Sequence, residues 1–88
     1  MMTDEALRAA IKQAIVRSLR LPIPPADIAD DVPLFGDGLG LDSIDVLELV
    51  LELERAFGAS IVDEDTGKRV LHSINTIAEF VRANGKVA

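Results

Sequence analysis

Residues 42–57 constrain this chain more than any other stretch. Val46, Leu49, Val50, Leu53 and Phe57 recur at helical spacing. Ile44, Leu47 and Leu51 form a second apolar row at i, i+3 and i+7. A helix with two such rows is apolar around more of its circumference than a simple surface helix requires. Gly58 follows as its stop. With 88 residues, the chain is expected to form a single domain, 1–88. A chain this short buries only about 60% of its unfolded surface. A small bundle does not easily bury both rows, so Ile44, Leu47 and Leu51 are either core or contact surface.

The other elements follow from the same kind of reading. Thr3 caps a first helix with Asp4 and Glu5 in its first turn, where the helix dipole favours anions. Leu7, Ala10, Ile11, Ala14, Ile15 and Leu19 make its apolar face. Pro22, Pro24 and Pro25 end it. Residues 20–41 form a long connection rich in Pro and Gly, yet it holds Leu21, Ile23, Ile28, Val32, Leu34, Phe35, Leu39 and Leu41. So many apolar anchors predict an ordered loop packed over the bundle. In 59–72, Ile61, Val62, Val70 and Leu71 anchor a short helix that starts at Asp63, Glu64 and Asp65, with Gly67 weakening it. Ser73 caps a last helix with Ile74, Ile77, Ala78 and Val81 on one face, ending at Gly85. The expected fold is all-α: three main helices, a short helix in third position, and a long ordered loop between the first two.

Charge and chemistry narrow the function. The net charge is −6, and residues 27–65 hold twelve acids against the single base Arg55. That balance argues against nucleic acid and against insertion at an anionic membrane surface. It suits a partner with a basic patch. The chain has no Cys, which fits the cytoplasm and leaves no thiol of its own. No signal peptide or membrane span is visible. His72 stands alone and the acids do not follow calcium-loop spacing, so no metal site is expected. No nucleophile–base pair appears, so no enzyme is expected.

The informative segment is Gly38-Leu39-Gly40-Leu41-Asp42-Ser43-Ile44-Asp45. Asp42 is the better cap of the second helix, because Leu41 and Val46 then form a hydrophobic staple. Ser43 becomes the first helical residue, with a hydroxyl not needed for capping. Gly38 and Gly40 keep its approach free of side chains. An anion attached there would lie by the free N–H groups of the helix start, opposed by Asp42 and Asp45.

Residues 34–50, Leu-Phe-Gly-Asp-Gly-Leu-Gly-Leu-Asp-Ser-Ile-Asp-Val-Leu-Glu-Leu-Val, resemble the acyl carrier family's segment around its modified serine. The match continues through Glu52, Leu53, Glu54, Phe57 and Gly58, and through Ile61, Asp63, Glu64, Lys68, Ser73 and Ile74. The resemblance spans nearly the whole chain. It implies that a phosphopantetheinyl transferase joins 4'-phosphopantetheine from coenzyme A to Ser43, with Asp42 as helix cap and transferase recognition residue. Acyl groups would ride as thioesters on the arm's thiol and be presented to acyl-transferring and condensing enzymes of fatty acid or polyketide type. Those partners would bring basic docking patches to Ile44, Asp45, Leu47, Glu48, Leu51 and Glu52, with the carrier a monomer that catalyses nothing. The wording of residues 34–41 is closer to carriers dedicated to specialised bacterial lipid or polyene pathways. The chain departs from the family at Val62, where many members have Pro, and in a slightly longer 59–72 segment containing Gly67. The competing readings are a peptidyl or alanyl carrier and an acidic binding module that leaves Ser43 unmodified.

Overall fold

The first helix, α1 (Asp4–Leu19), begins where Thr3 Oγ accepts the Ala6 N–H at 3.1 Å. It ends at Arg20, whose backbone turns left-handed (φ 53°) as the chain enters the prolines. The structure, a computed structural model, describes residues 3–35 and 40–85, without the side chains of Ser43 and Glu64. Among these residues three more α-helices follow: α2 (Ser43–Phe57), α3 (Glu64–Val70) and α4 (Ile74–Asn84). The all-α fold, with the short helix in third position, is as the sequence predicts.

The core is aliphatic. Leu7, Ile11 and Ile15 of α1 meet Leu49 and Leu53 of α2 and Ile74, Ile77 and Val81 of α4, all essentially inaccessible to solvent. Helix α2 packs chiefly on α1, whereas α3 packs on α4. Helix α1 also packs on α4, so α1 and α4 join the two ends of the bundle, and a groove remains between α2 and α3.

The long connection is ordered where it is described, and it contains a 3-10 turn (Pro25–Asp27) that the sequence reading did not separate. Pro25 suits the first position of such a turn because its missing N–H would have no partner there. Ile28, Leu34 and Leu41 are buried. Backbone hydrogen bonds pin the loop to the far side of the bundle: Leu34 N–H to His72 C=O at 2.9 Å and Asn75 N–H to Asp30 C=O at 3.0 Å. The Leu41 N–H donates to Leu34 C=O at 3.1 Å, which fixes where the chain re-enters to begin α2. The Asp30 carboxylate ties the loop to α1 through Lys12 (2.6 Å) and Arg8 (3.2 Å). The Lys12 hydrogen bond, acting against burial and helped by the charges of Lys12 and Arg8, holds the Asp30 carboxyl below its usual range.

One charged group lies inside this frame. The Glu52 carboxylate is only 3% exposed. It accepts from Arg17 of α1 at 2.9 Å and from Arg55 one turn along α2. Burial alone would raise its carboxyl, but hydrogen bonds from Arg55 and Arg17, with their charges, outweigh that and hold it below its usual value. The two guanidiniums remain largely in solvent, at 70% and 78% exposure. The triad therefore links α1 to α2 at the edge of the core.

The sign of the pH dependence follows. A carboxyl lowered in the folded state contributes stability that is complete above its ordinary value of 4.5 and fades as pH falls through the folded value. Denaturant unfolding across that window should show wild type losing stability faster than Glu52→Gln. At neutral pH, Arg17→Ala with Arg55→Ala should cost about 1–3 kcal/mol, because the carboxylate is left covered and unpaired. Equal slopes for wild type and Glu52→Gln below pH 4.5 would show that the triad contributes nothing.

Candidate functional site: the start of α2 and the groove beside it

The N-terminus of α2 is closed by its cap. Asp42 Oδ1 accepts the N–H of Ile44 at 3.0 Å and of Asp45 at 3.1 Å. Asp45 Oδ2 accepts the Asp42 N–H in return, at 2.9 Å, completing a capping box. Leu41, just before the cap, is buried and anchors the entry. Gly40 has φ 72°, a conformation side chains disfavour. Ser43 is the first residue of α2, as expected; its side chain, and residues 36–39 including Gly38, lie outside the described part.

This geometry corrects one expectation. The helix-start N–H groups of Ile44 and Asp45 are not free to seat an attached anion, because Asp42 already accepts from both. An anion at Ser43 would lie at the positive end of the helix dipole, with those two N–H groups already engaged.

The expected partner face divides. Ile44, Leu47 and Leu51 are 67%, 65% and 65% exposed, so the second apolar row is surface and not core. Glu48 is exposed beside them, whereas Asp45 is half-buried and engaged in the capping box. Glu52 does not belong to this face: its carboxylate turns inward to Arg17 and Arg55 and is not available for docking. Asp45, Glu48 and Glu52 stand at i, i+3 and i+7, a row that runs from the solvated face of α2 onto its α1-facing side. Arg55 stands exposed further along α2.

Between α2 and α3 lies a groove of about 550 Å³, lined by Ile44, Val46, Leu47, Val50, Ile61, Val62, Asp63, Gly67 and Lys68. Val46 and Val50, expected in the core row, are only half-buried because they form this wall. Val62 stands 88% exposed at the groove. Asp63 caps α3 by accepting the Thr66 N–H at 2.6 Å, and that bond above all holds its carboxyl below its ordinary range. Among the described residues no cluster of His, Cys, Asp or Glu is placed to hold a metal ion, and no helix is long and apolar enough to cross a membrane.

The chain is thus a small helical domain whose second helix starts at Ser43 behind an Asp42 cap, with an apolar groove alongside. Residues 9–83 match the family described as Phosphopantetheine attachment site, and the chain belongs to that family. It is therefore a carrier domain for 4'-phosphopantetheine, a substrate-carrying module and not a catalyst. Such domains are modified by a phosphopantetheinyl transferase and meet other enzymes. Among solved structures, it is similar to a carrier protein from Agrobacterium tumefaciens, crystallised with an engineered Bradyrhizobium japonicum glycine:carrier protein ligase and ATP. The TM-score is 0.67 at 29% identity, covering 88% of this chain and 97% of that one.

The sequence reading missed the Arg17–Glu52–Arg55 triad. Its only local signal was the i, i+3 spacing of Glu52 and Arg55, since Arg17 lies 35 positions away.

The division of labour at the start of α2 predicts opposite outcomes for adjacent substitutions. Asp42→Ala should lower stability by about 0.5–2 kcal/mol through loss of the cap. Ser43→Ala should leave thermal unfolding nearly unchanged. A larger loss for Ser43→Ala than for Asp42→Ala would place the cap on the serine.

Proposed function

We propose that this chain is an acyl carrier protein, a single cytoplasmic domain and a monomer, with the arm joined to Ser43. The observation that carries the acyl reading is the groove. Its lining is mostly apolar and begins at Ile44, the residue after the proposed attachment point. An aliphatic chain gains from such a surface about 0.8 kcal/mol at most for each methylene it buries. Once attached, the arm supplies the thiol that the sequence lacks. The residues fit it: Asp42 holds the cap, Gly40 brings no side chain, and Ile44 lines the groove. Tethering also raises the effective concentration of the cargo at a docked enzyme.

Incubation with coenzyme A and a broad-specificity transferase should add one phosphopantetheine, mapped to Ser43 and absent in Ser43→Ala. Addition at Ser18, Ser60 or Ser73, or none, would sink the proposal. In the loaded protein, melting temperature should rise with the length of a saturated acyl chain. A flat series would favour the second reading, a carrier of amino acids, which the glycine:carrier protein ligase bound to the similar Agrobacterium protein supports.

We place partner docking on the exposed face of α2. There Asp42, Asp45 and Glu48 provide the acidic charge and Ile44, Leu47 and Leu51 the apolar contact. Acyl-transferring and condensing enzymes with basic patches around their active-site mouths suit this face, and lipid or polyketide synthesis is the setting we assign. Each exposed ion pair contributes about 0.2–1 kcal/mol, so the acids act mainly on encounter rate and register. Glu48→Lys should slow transferase loading at low salt while changing folding stability by no more than about 0.5 kcal/mol. Raising the salt should slow wild type towards the variant. If the two respond alike, docking rests on the apolar row alone.

A further inference from the structure

Gly67 sits where a glycine is costly. It is in the middle of α3, a helix of seven residues, and glycine in a helix interior is less favourable than alanine. Its own conformation does not demand glycine, since the left-handed glycines among the described residues are Gly40 and Gly58. Packing does not demand it either. A Cβ at Gly67 would meet a single neighbour, Ile61 Cγ2, at 3.5 Å, an ordinary contact. Gly85 is the contrast: there a Cβ would come within 2.8 Å of the backbone oxygens of Phe57 and Val81.

What the missing side chain does is leave space. Gly67 and Ile61 both line the groove between α2 and α3, so the missing carbon would stand at its α3 side, against Ile61. Helix α2 packs chiefly on α1 while α3 packs on α4, and the groove lies between the two helices. Val62, an apolar side chain left almost wholly in solvent, flanks the same space and has its surface covered only if something apolar lies there.

From these observations we infer that Gly67 is a specificity-determining residue, setting how much of a linear saturated acyl chain the groove accepts. The inference rests on the acyl-carrier reading and names the feature of this chain that selects cargo length. The occupant is the chain's own tethered acyl group, because Ile44, the residue directly after Ser43, lines the groove.

The test compares wild type with Gly67→Ala as apo protein and as acyl forms from butanoyl to hexadecanoyl, each followed by thermal unfolding. The unloaded variant should melt higher than wild type, since alanine favours the helix. Its acyl forms should gain less than those of wild type and stop gaining at a shorter chain. This pairing of higher apo stability with smaller acyl gain is not expected of a glycine with only a structural role. Ile61→Ala, which widens the same point, should move the limit to longer chains even where it lowers apo stability. Equal acyl gains in wild type and Gly67→Ala, on a wild-type series that rises, would overturn the inference alone. A flat wild-type series would remove the seat itself, and with it both this inference and the acyl reading.

Discussion

The functional end of this molecule depends on who caps α2. Every α-helix begins with N–H groups that lack intrahelical partners, and a serine at a helix start usually serves them. Here Asp42 accepts from Ile44 and Asp45 while Asp45 closes back on Asp42. The serine that follows is held in place by the helix without being needed by it. A residue of that kind can be modified without dismantling the element that presents it. Leu41, buried behind the cap and bonded to Leu34, fixes the position of this arrangement on the bundle.

The second constraint is that α2 buries only part of itself. Leu49, Leu53 and Phe57 enter the core, and Glu52 secures the flank towards α1 through two arginines. What remains splits into an outward face, with Ile44, Leu47, Glu48 and Leu51, and a groove wall, with Val46 and Val50. The apolar rows of this one helix exceed what the small core can take, and the surplus is the surface to which we assign docking and cargo. The buried carboxylate is not strong evidence of stability in itself, since desolvation offsets much of the gain from pairing. What it does show is a link between α1 and α2 at the edge of the core.

Much of this was legible in the sequence, for reasons that can be named. Caps are local, so Thr3, Asp42 and Ser73 could be read from residues within three positions of each helix start, whereas Asp63 reads only as part of the start of α3. The apolar anchors of the 20–41 connection foretold an ordered loop, because water would not tolerate so many exposed. What the sequence concealed was non-local. Nothing near Glu52 showed that its row curves onto α1, and a charge stripe drawn on an isolated helix treats it like Glu48. Likewise Val46 and Val50 match Leu49 and Leu53 in hydropathy, and only the gap between α2 and α3 separates groove wall from core. The anion seat imagined at the helix start failed for a related reason: a capping box uses the same donors that an anion would.

The central claim is that Asp42 keeps the cap whether or not the arm is attached, so that loading leaves the helix start as it was. Amide hydrogen exchange of Ile44 and Asp45 in apo and phosphopantetheinylated protein tests it directly. The account predicts the same protection at both amides in the two forms, with Asp42→Ala losing it in both. Protection that appears only on loading, or that survives Asp42→Ala once the arm is attached, would mean that the phosphodiester caps α2 and would contradict the account.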